Sequence, residues 1–244
     1  MSAPRILRHG LVDSTSERAF AALAAGEARH RDVHVARAQS AGRGSRGRSW
    51  DSQDGAGLYA SVVLLPEPPA PPPAALTMAA GLAVRDLLLE LGLAARLKWP
   101  NDVLVGGAKI AGILIEARGY DPARPAFVCG IGLNALQRAF PPEVAARGVT
   151  SLALEGATLA PERALERLLP HLDARLEQAR LLPAELAAAF SGAAHLLEGP
   201  VCVQRGEQEL RGRIAAFGLG GLDLATEEEL VRIPLEHVTG VQPD

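Results

Sequence analysis

The sequence predicts an α+β fold followed by a small C-terminal β-barrel. In the first part of the chain, apolar runs typical of strands lie next to one another rather than alternating strictly with helices. The 244 residues are 48% hydrophobic and 22% charged, which is typical of a globular protein and excludes global disorder. From Gly199 onward, glycine and charged turns separate short strands, as in a small barrel. We therefore predict domains at residues 1–198 and 199–244.

The predicted elements follow from apolar periodicity and from turn residues. Ser14 and Glu17 have the spacing of a capping box, which places a helix between Ser14 and Gly26. Other helices are predicted at 74–92, 161–180 and 183–190, and strands at 6–12, 33–36, 58–65, 94–99, 102–105, 108–116, 126–133, 201–203, 210–215, 222–225 and 230–233.

Composition narrows the classes of function. The net charge is −3, so any anion binding must come from a local basic cluster. Cys129 and Cys202 are flanked by apolar residues and are predicted to be reduced. His30 and His34 are four residues apart but flank the start of a strand, so no metal site is predicted. No signal peptide or membrane span is apparent, which favours the cytoplasm.

A basic loop at residues 39–50, QSAGRGSRGRSW, carries three glycines and three arginines. Glycine allows close backbone approach, and arginine supplies permanent charge suited to phosphate or carboxylate. These residues predict an anion-binding loop that closes over a ligand. A flexible basic linker, or a nonspecific contact with nucleic acid, remains the alternative. The loop is not a phosphate-binding Walker loop, because it lacks Gly-Lys-Ser/Thr.

Two further segments place polar residues at strand ends. In KWPND, Lys98, Asn101 and Asp102 are predicted to lie close together, although a snorkelling lysine beside an Asx-turn is the simpler interpretation. In KIAGILIE, period-two alternation puts Lys109 on one face with Ala111, Ile113 and Ile115, where a buried ammonium needs an anion. An exposed hairpin end is the alternative for Lys109.

Glycine recurs inside two of the predicted strands. Gly112 lies in the middle of KIAGILIE, where glycine often marks close approach by a ligand or by backbone. The glycines of GIGLN, at residues 130–134, predict backbone packed against something bulky, with a plain bulge as the alternative.

Together and in this order, GRGSRGRSW, KWPNDVLV, KIAGILIE and GIGLN resemble segments of the biotin–protein ligase family, and DSTS resembles its early Asp-Ser-Thr motif. The resemblance covers residues 6–152 strongly and the barrel more weakly. It implies a catalytic domain like those of class II synthetases and of biotin and lipoate ligases, followed by an SH3-like barrel. Only a few residues precede the first strand, so we expect the monofunctional type without a DNA-binding domain.

The resemblance also implies a reaction in two steps. ATP and biotin, with Mg²⁺, would first give biotinyl-5′-AMP and pyrophosphate. The biotinyl group would then pass to a lysine of a biotin carboxyl carrier domain. Nucleic acid and membrane partners are not expected, and a homodimer is left open.

Residue roles are carried over from the same resemblance. Lys109 and Arg43 would be catalytic, with no protein metal site. Biotin would be bound by Ser14, Thr15, Ser16, Gln39, Arg43, Gly44, Ser45, Lys109 and Gly112. ATP and the adenylate would be bound by Arg46, Arg48, Trp50, Lys98, Asn101, Asp102 and Asn134.

The sequence departs from the family pattern at two places. Ser45 stands where the family commonly has arginine, and the segment after Asn134 lacks tryptophan, so Val149 or another residue would meet adenine. Two rival functions remain: a lipoyl or octanoyl transferase or ligase, which the resemblance implies as a related fold with a different acyl substrate, and a nucleic-acid-binding protein that uses the arginine loop. The intact loop together with KWPND favours biotin over the first rival, and ATP dependence would exclude the second.

Overall fold

Seven strands form the larger of two sheets in the computed structural model, which describes residues 3–244. The strands are β1 Ile6–Val12, β2 Val33–Gln39, β3 Gly57–Leu64, β4 Ala95–Lys98, β5 Asp102–Val105, β6 Ala108–Glu116 and β7 Phe127–Asn134. The helices of the described chain are α1 Thr15–Ala24, α2 Pro73–Glu90, α3 Pro142–Ala145, α4 Pro161–Leu181 and α5 Pro183–Ala193.

The strand order in this sheet is β1-β2-β3-β7-β6-β5-β4. The β1 and β2 strands are parallel, and every other neighbouring pair is antiparallel. The sheet is therefore mixed, and the predicted α+β class is confirmed. The short helix α3 was not predicted, because four residues carry too little periodicity to distinguish a helix from a turn.

The two faces of this sheet differ in side-chain size. Along β3 and β7, alternate residues such as Leu58, Val62 and Leu133 belong to the main apolar core, which also contains residues of α2 and α4. The opposite face carries Tyr59, Ser61 and the glycines of β7. Helix α1 covers only one end of that second face, where Phe20 joins Val63 and Val128 in a smaller cluster. The remainder of the face is left for a cleft.

The first turn of α1 departs from the predicted capping box. The Ser14 side chain accepts a hydrogen bond from Ser16 N at 3.2 Å, as an N-cap should. Glu17 does not reach back to Ser14 N, which instead donates to Asp13 Oδ1 at 2.7 Å. The Glu17 carboxylate pairs with Arg43 and Arg118, because two guanidinium groups offer it stronger hydrogen bonds than one backbone amide.

A second, antiparallel sheet begins at Pro200. Its strands are β8 Pro200–Arg205, β9 Gln208–Gly218, β10 Gly221–Ala225, β11 Leu230–Ile233 and β12 Gly240–Pro243, in the order β11-β10-β9-β8-β12. The unpredicted β12 is only four residues long and ends in proline, which weakens any strand signal. The boundary near residue 198 stays a prediction.

Aromatic residues connect the two sheets. Trp99, at the end of β4, donates from Nε1 to the Val238 carbonyl at 2.9 Å. Its ring meets Phe190 and Phe217 edge-on, with centroids 5.9 and 5.8 Å away. The apolar core accordingly runs without interruption from the large sheet into the small one.

Cys129 and Cys202 are both free thiols. Burial raises the pKa of Cys129 to about 12, so this thiol is inert near neutral pH. Across residues 3–244, no helix is both long and apolar enough to cross a lipid bilayer.

Candidate functional site

A cleft of about 570 Å³ opens on the glycine-rich face of the large sheet. All four segments singled out in the sequence converge on it, because β5, β6 and β7 are neighbours and the basic loop folds over them. The sequence-predicted residues that line the cleft are Thr15, Ser16, Gln39, Arg43, Gly44, Ser45, Arg48, Trp50, Lys98, Asn101, Asp102, Lys109, Gly112 and Asn134.

Two predicted site residues are not brought into the cleft. Ser14 is 1% exposed, and its hydroxyl oxygen is occupied as the N-cap of α1. Arg46 has a positive φ of 59°, and its guanidinium turns away to donate to the Thr239 carbonyl of the second sheet. Binding roles for these two side chains are therefore not supported by this geometry.

One end of the cleft is a network of neutral polar groups. Gln39 Oε1 accepts from Thr15 N at 2.9 Å, while Gln39 Nε2 donates to Ser52 Oγ at 2.9 Å. The hydroxyl of Ser61 lies 2.8 Å from Thr15 Oγ1 and 3.1 Å from Ser16 Oγ. Such a network fixes donor and acceptor positions without charge, which suits a neutral polar ligand group.

Lys109 lies at the centre of the cleft, in an ion pair with Asp102. The Nζ and Oδ1 atoms are 2.5 Å apart, and both side chains are largely buried. Among residues 3–244, Asp102 Oδ1 nevertheless accepts no hydrogen bond of good geometry. The alternative of an exposed hairpin end for Lys109 is excluded, and the anion partner that a buried ammonium needs is present.

The predicted face of Lys109 is wrong, because β6 contains a bulge. Asp102 pairs with Gly112, but Leu104 pairs with Lys109, so Ile110 is an extra residue on β6. The extra residue reverses the alternation, and Lys109 shares a face with Gly112 instead of with Ala111. Its Nζ would lie 3.2 Å from a Cβ at Gly112.

Trp50 occupies the space above the glycines of β6 and β7. A Cβ at Gly132 would lie 2.5 Å from the indole, and one at Gly112 would lie 2.9 Å from it. These distances are too short for any side chain, so the two glycines admit the Trp50 ring. The bulky group predicted from GIGLN is therefore a side chain of this protein. Lys109 Nζ lies 5.3 Å from the centre of the same ring.

The basic loop is a miniature hairpin rather than an irregular linker. Arg43 and Ser49 form an isolated antiparallel bridge, flanked by hydrogen bonds from Gly44 N to Arg48 O at 2.7 Å and from Trp50 N to Gly42 O at 2.9 Å. The Arg43 guanidinium is engaged by the carboxylates of Glu17 and Glu116. A direct role for its positive charge would require these ion pairs to open.

Another wall of the cleft is formed by residues 140–149, of which the sequence analysis singled out only Val149 as a possible contact for adenine. Lys109 N donates to Gly148 O at 2.7 Å, and Thr150 N donates to Lys109 O at 2.9 Å, so this wall is attached to β6. Asn134 Nδ2 donates to Thr150 O at 2.9 Å. Lining residues that sequence reasoning missed include Ser52, Tyr59, Ser61, Phe140, Val144 and Arg147.

Only the position of these missed residues in the sequence could have indicated a role in the cleft. Ser61 is a polar residue in the apolar run ASVVLL, and Tyr59 and Ser61 alternate towards the glycines of β7. Phe140 and Arg147 lie in an irregular segment whose direction depends on tertiary contacts. No cluster of three or more His, Cys, Asp or Glu side chains that would hold a metal occurs in the part of the chain that the structure describes.

Several known proteins are similar to this chain in sequence or in structure. The biotin--[acetyl-CoA-carboxylase] ligase of Paracoccus denitrificans is 37% identical over 192 residues, which are 73% of this chain and 77% of that protein. The biotin protein ligase from Aquifex aeolicus, solved with biotin and ATP, matches with a TM-score of 0.80 at 28% identity, covering 98% of this chain and 99% of that chain.

A more distant structure has the same fold. The biotin protein ligase from Leishmania major, solved with biotinyl-5-AMP, matches with a TM-score of 0.65 at 25% identity and covers 95% of this chain and 99% of that chain. The model of the biotin/lipoate A/B protein ligase family matches residues 10–134, which contain the four segments singled out in the sequence but not the cleft wall at residues 140–149. The chain belongs to this family.

Proposed function

We propose that this protein is an ATP-dependent biotin–protein ligase that forms biotinyl-5′-AMP and transfers the biotinyl group to a lysine of a biotin carboxyl carrier domain. The observation that carries the proposal is one cleft with a neutral polar end, an indole surface and a central lysine. Biotin has a ureido head, an apolar ring and tail, and a carboxylate, in that order. The biotin ligases among its relatives support the same substrate.

Each part of the cleft matches one part of the substrate. Thr15, Gln39 and Ser61 offer donors and acceptors to the ureido group, while Trp50 offers an apolar surface to the ring and tail. Lys109 meets the carboxylate and the α-phosphate of ATP. When these anions bind, they replace Asp102 as the partner of the Lys109 ammonium. Asp102 Oδ1 holds that ammonium by charge, without a well-aligned hydrogen bond.

The first step joins two anions. A biotin carboxylate oxygen forms a bond to the α-phosphorus of ATP, and the bond from that phosphorus to the bridging oxygen of pyrophosphate breaks. Lys109 stabilises the charge shared between the reacting groups, since a preorganised cation in a partly desolvated cleft interacts more strongly than one in water. Lys98, Arg48 and Asn134 lie at the cleft where the nucleotide would extend.

The second step needs no nucleophile from this chain. The neutral amine of the carrier lysine attacks the acyl carbon of biotinyl-5′-AMP, AMP leaves with the bonding electrons, and the amine loses its proton. The basic loop and residues 140–149 would shield the mixed anhydride from water until the carrier arrives. The cleft wall formed by Phe140 and Val149 offers apolar surface to adenine in place of the absent tryptophan.

Mg²⁺ belongs to the same proposal. Asp51, Asp102 and Glu143 line the cleft, and because Mg²⁺ prefers carboxylate oxygens, these residues would be the protein groups that hold an ion arriving with ATP. When bound, the ion would neutralise phosphate charge and favour departure of pyrophosphate. The protein's own residues would still bind and orient both substrates.

The direct test is incubation with ATP, Mg²⁺, biotin and a biotin carboxyl carrier domain, followed by intact-mass measurement of the carrier. We expect the carrier to gain the mass of one biotinyl group, and only when both ATP and biotin are present. Parallel reactions with lipoate and octanoate test the first rival function. Equal transfer of those acids, or no transfer of biotin, would contradict the proposal.

A further inference from the structure

We propose that Glu17 and Glu116 are positioning residues that act through Arg43. The two carboxylates hold the Arg43 side chain outside the cleft, and this presents the Arg43 backbone to the ligand. The inference rests on the proposed function for its kinetic readout, whereas its structural readout is independent of any substrate.

The contacts around Arg43 form a closed ionic cluster. Arg43 Nη2 lies 2.7 Å from Glu116 Oε1, and Arg43 Nη1 pairs with Glu17. Glu17 is in the first turn of α1, and Glu116 is the last residue of β6. Arg43 lines the cleft but neither carboxylate does, so we infer that this residue meets the cleft through its backbone rather than its guanidinium.

Arg118 completes the cluster by fixing Glu17. Its Nη1 donates to Glu17 Oε2 at 2.9 Å, and its guanidinium lies 4.0 Å from the centre of the Phe20 ring. The hydrogen bonds from Arg118 and Arg43 hold the pKa of Glu17 at about 2, so this carboxylate stays ionised at any pH where the enzyme would work. The Arg43 side chain is therefore attached to two secondary-structure elements of the sheet domain.

The hairpin geometry shows which groups of Arg43 are positioned by this attachment. Gly42 O and Gly44 N are used to bond Trp50 and Arg48, on the inner side of the hairpin. The N–H and C=O of Arg43 lie between them in the chain and point to the other side, as alternation in an antiparallel pair requires. No hydrogen bond to either group occurs within the described chain. One fixed donor and one fixed acceptor are thus held at the edge of the cleft.

Attachment at Arg43 also limits how much of the loop must order around a ligand. If the start of the loop is already fixed, only residues 44–49 lose conformational freedom on binding. Ser40 N donates to Val12 O and Ala41 N donates to Asp13 O, so these two residues are held without the carboxylates. Without Glu17 and Glu116, residues 42 and 43 must be ordered as well, and biotin binding weakens. The chemical step itself, which depends on Lys109, is left unchanged.

The test compares Glu17→Gln, Glu116→Gln and the double variant in biotin-dependent exchange of labelled pyrophosphate into ATP. We expect the KM for biotin to rise about threefold in each single variant and about tenfold in the double variant, since partly exposed ion pairs contribute modestly. The kcat and the KM for ATP should stay near the wild-type values. Glu17→Asp should retain more biotin affinity than Glu17→Gln, because it keeps the charge.

Three further measurements keep the outcome unambiguous. Glu162→Gln removes a glutamate from the first turn of α4, away from the cleft, and should change neither KM. Limited trypsin digestion, which needs no substrate, should cut after Arg43 faster in the double variant than in the wild type, while cleavage after Arg48 changes little. The melting temperature of each variant shows whether it is folded.

Three results would overturn the proposal. A double variant with an unchanged KM for biotin, or with unchanged cleavage after Arg43, shows that the two carboxylates do not position a group on which biotin binding depends. A double variant with faster adenylation shows that they restrain an Arg43 that acts directly by its charge. If wild-type protein exchanges no pyrophosphate with biotin, the proposed function fails, and the trypsin comparison alone still decides whether the cluster holds the loop.

Discussion

The two faces of the seven-stranded sheet are made by the same strands, yet one is a core and the other a cleft. On the core face, Leu58, Val62 and Leu133 are at most 2% exposed and pack in one cluster with α2. On the cleft face, the alternate positions of β7 are Gly130 and Gly132, which leave room for a tryptophan and a ligand. The comparison shows that period-two alternation provides both faces at once, and that glycine decides which of them stays open.

The largest effect should come from truncating the core face. We expect Leu133→Ala to lower the free energy of unfolding by about 2–5 kcal/mol, because it opens a cavity beside α2. Urea denaturation measures this change. The KM for biotin of the folded fraction should stay the same, and a large rise in that KM would show that the two faces are not independent.

On the cleft face, substitution of Lys109 should change the reaction rate far more than the stability. Lys109→Met should slow biotin-dependent pyrophosphate exchange by about 10²–10³-fold, since one preorganised charged donor contributes on that scale. The melting temperature should fall modestly, because no apolar cavity opens but the Asp102 carboxylate loses its ion-pair partner. A folded variant with nearly wild-type exchange would separate Lys109 from the chemistry.

Adding a methyl group to the cleft face tests whether glycine keeps it open. Gly132→Ala places a Cβ about where the Trp50 ring now lies, so the ring must move, at a cost of about 1–3 kcal/mol. We expect weaker biotin binding in calorimetry. Gly130→Ala is the matched control on the same strand and face, because its Cβ would be 3.4 Å from the nearest atom. Equal effects of the two substitutions would show that Trp50 is not the reason for glycine.

The smallest expected effect concerns pH. His9 and His34 stack with ring centroids 5.4 Å apart, and burial lowers the pKa of both below the ordinary value. The unfolded chain then binds protons more readily, so stability should fall as the pH drops below about 6.5. Urea denaturation at pH 7.5 and 5.5 measures the difference, and His34→Gln should reduce it. Asp32, the carboxylate that acts on His34, has a lowered pKa and titrates below this range. A pH difference that is unchanged in His34→Gln would assign the effect elsewhere.

Local sequence patterns predict most of the strands and helices and the segments that line the cleft, because strand alternation and turn chemistry act over a few residues. The orientation of Lys109 did not follow, since one extra residue at Ile110 reverses a strand face and leaves no mark in composition. The side chain that packs on Gly112 and Gly132 is that of Trp50, which lies far away along the chain. The wall at residues 140–149 is held by bonds to β6, so its position depends on tertiary structure.

The contacts of Trp99 and Arg46 with the second sheet change how a deletion of that sheet should be interpreted. Val238 and Thr239 are consecutive, yet one accepts a hydrogen bond from the strand end beside the cleft and the other from the basic loop. Removing residues 199–244 would expose the Trp99 and Phe190 rings to water and release the loop at the same moment. A truncated enzyme that loses activity would therefore not show which role the second sheet has in catalysis, whereas point substitutions on its outer strands leave these two contacts intact and would.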